Sequence, residues 1–375
     1  RLKKEPNGSF INCEQSLRIP PLTDIHSLVV ASIEIEKSEE KNILPDKKWI
    51  QQLVHPGTSL GGARPKAGVV DEKQQLYVAK FHFDEATQKA TGEWIELNIS
   101  NPIISGYSKY KFSDQADVLV NTRLAADAVG ATKMDRPEWV AVNPHNGEVY
   151  VTLTNNSSRT AETTDAANPR SYIDQKAGKD QKGNVNGHII RFREDADQVT
   201  ASKFVWDIFL FGAQALNDAG QANPENLSKL NANNDFSSPD GMWFDPRGVL
   251  WIQTDDGAYT DQTNCMMLAA LPGSIGDGKT ETSTVGKKTP MGLSLDDKKL
   301  RRFLTGPSGC EITGVTMTPD YKAIFVNVQH PGGVWPSNHS NTVSGGKGTR
   351  PRSGTVVITR KDGGEIAGEG LIQAK

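Results

Sequence analysis

The chain has 375 residues, a formal net charge of −3 and a pI near 6.2, so it lacks the basic excess of a nucleic-acid-binding face. Hydrophobic content is 36% and charged content 23%, as expected of a soluble protein, and no run approaches the roughly 20 apolar residues of a membrane span. The 35 glycines and 20 prolines imply many turns between short strands.

Cys13, Cys265 and Cys310 leave one thiol unpaired in any disulfide scheme, and none belongs to a CxxC pair, so buried or incidental thiols are the plain reading. Residues 33–50 are charged and do not read as a strand repeat. From there on one pattern recurs: an apolar or alternating run, a turn, and an aromatic-centred strand. It occupies Ala67–Ala79, Trp139–Leu153, Gly241–Gln253 and Gly314–Asn327, with turn residues Asp71, Asn143, Asp245 and Thr318. Pro144, Pro246 and Pro319 follow three of these and suit the second position of a type I turn, while Gly147 and Gly248 supply positive φ before the next strand. Between the first two repeats, Asp114–Val129 has helical spacing, with Gly130 as its stop. The stretches 157–187, 214–236 and 332–353 are polar and predict long loops.

A hairpin recurring at such long intervals, with other strands between, predicts an all-β chain folded as a β-propeller; a β-sandwich is the rival. No domain boundary is evident, so residues 1–375 read as a single domain.

Acids sit at matched ends of the repeats. Glu138 lies five residues before the turn residue of the second repeat and Asp240 five before that of the third. In the fourth, Thr313 takes that place and Glu311 lies two residues earlier. One such acid alone is a turn or capping carboxylate. Three at one end of successive blades would converge on a common mouth, as a hard metal ion requires. Asn155 and Asn156, Asp255 and Asp256, and Gln329 and His330 follow the opposite strands and add oxygen or nitrogen donors; His330 reads equally as a surface histidine. Arg136 offers a guanidinium fork for a phosphate, or a partner for Asp135. No GxSxG elbow, Walker loop, HExxH or GxGxxG competes.

These residues carry a resemblance. Asp117–Asp127, Met134-Asp-Arg-Pro-Glu-Trp-Val-Ala-Val142, Gly147–Asn156, Gly187-His-Ile-Ile-Arg-Phe192, Ser238-Pro-Asp-Gly-Met-Trp-Phe-Asp245, Gly309-Cys-Glu-Ile-Thr-Gly314 and Phe325–Pro331 resemble the PhoX family of bacterial alkaline phosphatases over about residues 65–362. The resemblance implies a six-bladed propeller and a periplasmic or secreted phosphomonoesterase, read here as monomeric, acting on small-molecule phosphate esters. It also implies two iron(III) ions bridged by a cysteine thiolate and an oxide, together with calcium. By motif, Glu138 resembles a metal-binding glutamate and Arg136 the phosphate-contacting arginine. Asp240 and Glu311 occupy motif acids read as metal ligands, and Asn155, Asn156 and His188 lie in family motifs. Asp255 remains a candidate from its place after the third repeat. Pro6–Glu14 resembles the stretch with the bridging cysteine, which assigns Cys13 as that bridge, Glu14 as a neighbouring ligand and Lys4 as a phosphate contact. Residues 15–65 replace a longer family stretch that includes a His-Glu motif, so residues 1–65 read as an atypical, shortened part. The rival functions are a non-catalytic calcium-binding propeller and a lactonase-like propeller hydrolase.

Overall fold

A computed structural model describes residues 75–332 and 353–368, apart from 199, 256 and 258. Chain contacts divide the protein into two compact units, one of residues 1–76 and 96–129, the other of 77–95 and 130–375.

The described part of the first unit is helical. Helices α1 (Pro102–Ser105), α2 (Gln115–Val120) and α3 (Thr122–Val129) bury Ile104, Val118, Ala125 and Val129. The Asn101 and Asp114 side chains cap α1 and α2 by accepting from the amides of Ile103 and Asp117, which satisfies donors a helix start leaves open. The one helix predicted over Asp114–Val129 is broken at Asn121. That side chain donates to the Asp117 carboxylate at 2.6 Å, a local bond that competes with helix continuation.

The second unit is built of antiparallel sheets. Strands β3 (Pro137–Val142), β4 (Val149–Leu153), β7 (His188–Glu194) and β8 (Lys203–Phe211) form the first blade. On its outer side it is widened by β1 (Tyr77–Asp84) and β2 (Lys89–Glu96), and by the hairpin β12 (Lys279–Thr282) and β13 (Lys288–Met291). The second blade runs β9 (Pro239–Phe244), β10 (Leu250–Thr254), β11 (Met266–Ala270) and β14 (Leu300–Thr305). The third runs β15 (Glu311–Met317), β16 (Ala323–Gln329) and β17 (Gly354–Thr359). A separate hairpin, β5 (Tyr172–Lys176) and β6 (Lys179–Gly183), lies inside the stretch read as a loop.

The first strand of each blade is innermost, and β9 packs against β3 on one side and β15 on the other. This is the propeller arrangement that the repeated hairpin predicts. Its turns follow their sequence: Gly147, Gly248 and Tyr321 close back onto the carbonyls of Asn143, Asp245 and Thr318. The first repeat's turn, at Asp71, lies outside the described residues.

Strand β10 explains why the blades hold together. It is buried along its whole length because neighbouring blades cover both its faces. Leu250 and Ile252 join a core with Tyr150, Phe209 and Phe244, while Trp251 turns to the other side with Met267, Ile312 and Val326. Period-2 alternation feeds two cores, and each large apolar side chain so buried contributes about 1.5–3 kcal/mol.

Candidate metal centre

Each innermost strand begins with its acid. Glu138 and Asp240 are the second residues of β3 and β9, and Glu311 is the first of β15. Two residues before each acid the backbone turns left-handed, with φ of 51° at Arg136, 50° at Ser238 and 71° at Gly309. Only glycine takes that conformation freely, and Arg136 and Ser238 each also precede a proline, so both are held there by their surroundings. In each blade the pairing register shifts just past the acid: between Pro137 and Val140 in β3, opposite Ile252 and Thr254 in β9, and between Thr313 and Val315 in β15. Such bulges re-aim side chains at a rim.

Polar ties between blades fix the acids relative to one another. The buried Thr152 hydroxyl on β4 donates to the Asp240 carbonyl at 2.8 Å, and the Thr154 hydroxyl to the Pro239 carbonyl at 3.0 Å. Gln253 on β10 repeats the device one blade on, donating to the Gly314 carbonyl at 3.2 Å. Gly241 makes room for it, since a Cβ there would come within 2.4 Å of the Gln253 amide oxygen.

The acids converge. Burial pushes the Asp240 carboxyl up to about 7, and the negative charges of Glu138, Glu311 and Asp255 push in the same direction, with Arg136 opposing them. Glu311 is also raised, by burial and by Asp255, with His330 opposing. Asp255, Glu311 and His330 each offer a ligand atom, all within 4.8 Å of one another. His330 Nδ1 lies 3.2 Å from the Gly309 carbonyl and so must donate to it. In the neutral ring Nε2 then presents a lone pair 3.4 Å from a Glu311 oxygen, a pairing that a cation or a proton satisfies. On the first blade, Arg136 Nη1 donates to the Asn155 amide oxygen at 3.0 Å and Nη2 lies 3.4 Å from Glu138 Oε1. The Asn155 amide nitrogen reaches the Ser238 hydroxyl at 3.3 Å, bridging the first two blades. Four carboxylates facing one guanidinium and one imidazole carry surplus negative charge on hard oxygen donors, which fits calcium or iron(III).

The structure thus brings Arg136, Glu138, Asn155, Asp240, Asp255, Glu311 and His330 together. Asn156 and His188 lie elsewhere, in a buried polar layer around Asp135. The Asn156 amide donates to Asp135 Oδ1 at 2.7 Å. His188 is fully buried between the Asn184 amide at Nδ1, 3.0 Å, and the Ala167 carbonyl at Nε2, 2.8 Å. The carbonyl can only accept, so the ring is the neutral Nε2–H tautomer, and burial holds its pKa down at about 4. Lys4, Cys13, Glu14 and Asp256 lie outside the described residues. Sequence reasoning missed the ties through Thr152 and Gln253; their signal was a buried polar residue at matched places in β4 and β10.

The alkaline phosphatase PhoX family matches residues 53–332. The chain belongs to that family. Among solved structures it is similar to Pseudomonas fluorescens PhoX in complex with vanadate, described as a transition state analogue, at 36% sequence identity and a TM-score of 0.59. That match covers 78% of this chain and 45% of the other, so this chain spans just under half the length of its solved relative. No curated protein matches. Among the described residues no helix is long and apolar enough to cross a membrane.

Proposed function

We propose that this PhoX-family chain is a metal-dependent phosphomonoesterase, acting as a monomer on small-molecule phosphate esters in the periplasm or outside the cell. The observation that carries this reading is the convergence of Glu138, Asp240 and Glu311 from three innermost strands, and of Asp255 from the end of β10, beside the half-exposed Arg136. Glu138, Asp240, Asp255, Glu311 and His330 would hold the cations, calcium and iron(III), together with Cys13 and Glu14. Bound there, such ions supply Lewis-acid polarisation of the phosphoryl oxygens and activation of the attacking oxygen.

The remaining work falls to the chain. Arg136 receives the equatorial phosphate oxygens in a forked pair of N–H bonds, assisted by Lys4. Asn155 and Glu138 hold the guanidinium at its other edges, so its orientation is set before the ester arrives. As charge builds in the transition state the positive fork becomes more strongly bound than in the ground state, which is the condition for raising the rate.

The test is turnover of p-nitrophenyl phosphate at alkaline pH by the full chain supplied with iron and calcium. Hydrolysis that is lost in Glu138→Ala supports the reading. No turnover despite bound iron and calcium overturns it, and lactone hydrolysis or calcium binding without iron would establish one of the two rival functions.

A further inference from the structure

Directly beneath Arg136 lies a buried carboxylate that the reaction does not touch. Asp135 is fully buried, and both its oxygens accept hydrogen bonds, from three places in the chain. Oδ1 accepts from Asn156 at 2.7 Å and from Arg159 Nε at 2.8 Å; Oδ2 accepts from Asn184 at 2.9 Å. The Asp135 amide donates to the Asn168 side chain at 3.2 Å, and Arg159 also reaches the Lys133 carbonyl at 2.8 Å. Arg136 itself is fastened on both sides, its amide to the Met134 carbonyl and its carbonyl to the Thr154 amide, each at 3.1 Å. The segment 133–136 is therefore held through main chain and side chain at once, where Arg136 takes a left-handed conformation that a non-glycine residue before proline resists.

We propose that Asp135, with Asn156, Arg159 and Asn184 as its donors, is the positioning residue of Arg136, building into the fold the backbone turn that aims the guanidinium at its phosphoryl ligand. This rests on the phosphatase reading of Arg136. It assigns a task to the polar stretch 157–187, which supplies Arg159, Asn168 and Asn184. Arg170, buried on the same stretch, locks Asn184 in turn by donating to its amide oxygen at 3.1 Å, and also binds the carbonyls of Gly212 and Glu225. His188 closes the layer by accepting the other Asn184 proton. The ion pair of Asp135 with Arg159 is thus matched by hydrogen bonds on every side, the condition under which a buried pair specifies one conformation.

The experiment uses the full chain loaded with iron and calcium, as wild type, Asn156→Ala, Asp135→Asn, Arg136→Ala and the double variant Asn156→Ala/Arg136→Ala. Asn156→Ala removes a single donor and leaves Arg159 and Asn184 in place, so it remains informative where Asp135→Asn fails to fold. Vanadate is the probe, with p-nitrophenyl phosphate for KM and kcat. Loosening a residue that orients a site group costs roughly ten- to a hundredfold. The expected result is that Asn156→Ala weakens vanadate and raises KM by about that factor while kcat changes less, with no additional loss once Arg136 is alanine. Hydrogen exchange over residues 134–138, read without any ligand, should quicken in Asn156→Ala. Unchanged exchange and vanadate affinity would overturn the proposal, as would an equal loss in the Arg136→Ala background. If wild type neither hydrolyses the ester nor binds vanadate, the phosphatase reading has failed, and the exchange result alone decides whether Asp135 holds this turn.

Discussion

Asp240 stores a conflict that metal removal should expose. In the metal-free protein its carboxyl titrates near 7 instead of the ordinary 3.8, because burial and then Glu138, Glu311 and Asp255 disfavour its charge. Between those two values the folded chain binds a proton that the unfolded chain does not, so folding stability falls as pH rises through the interval and stays low above about 7. The full difference is worth at most about 4 kcal/mol. Asp240→Asn removes the charge and keeps the shape. In chelator-treated protein at pH 8 the variant should therefore be the more stable, by a melting difference of about 8 °C or less. Below about pH 3.8 the two should melt together, since Asp240 is then protonated in the folded and the unfolded chain alike. Calcium should reverse the order at pH 8, because the wild type gains binding free energy that the variant largely lacks. The measurement is a pair of thermal melts by circular dichroism across pH, with and without calcium. A metal-free variant less stable than wild type at every pH would refute the convergence of the four acids.

Other expectations follow from the same geometry. Arg136→Ala should lower kcat/KM for phosphate esters by roughly a hundred- to a thousandfold, the range for loss of one aimed charge donor, whereas Arg136→Lys, which keeps charge but loses the fork, should recover only part of it. His188 acts in the opposite sense to Asp240. Its folded pKa of about 4 lies below the ordinary 6.5, so the unfolded state takes up a proton first and stability drops as pH falls from 6.5 to about 4, by at most about 3 kcal/mol. His188→Gln should flatten that limb of the stability profile. Thr152→Val leaves the Asp240 carbonyl and the Trp139 amide without their buried hydroxyl partner, so chemical denaturation should show a loss of about 1–3 kcal/mol and calcium affinity should fall with it.

Much of the fold was legible because its signals are local. Asn143-Pro144, Asp245-Pro246 and Thr318-Pro319 encode their turns in adjacent residues, and once the turns are aligned the acids fall into phase without knowledge of any contact. What was illegible depends on distant partners. The hairpin Tyr172–Gly183 is polar on both faces, so no period marks it as a strand pair. Arg159, Asn168 and Asn184 read as loop residues because the carboxylate and backbone that bury them belong to Asp135, as many as 49 positions away.

Asn155 and Asn156 show where the limit falls. They are consecutive, chemically identical and equally good oxygen donors, so no property of either residue distinguishes one at the mouth from one in the buried layer. The backbone distinguishes them. Leaving β4, successive side chains point to opposite sides, and the first side faces Arg136 and Ser238 while the second faces Asp135. Their environments then set their tasks: Asn155 meets a half-exposed guanidinium at the mouth, and Asn156 a carboxylate from which water is excluded. The same step of one residue separates Arg136, half exposed at the mouth, from Asp135, which lies buried beneath it. A shift of the β3–β4 register by one position would exchange both pairs, placing a buried arginine under an exposed aspartate. The bulge between Pro137 and Val140 fixes that phase, and so decides which of these polar residues becomes chemistry and which becomes scaffold.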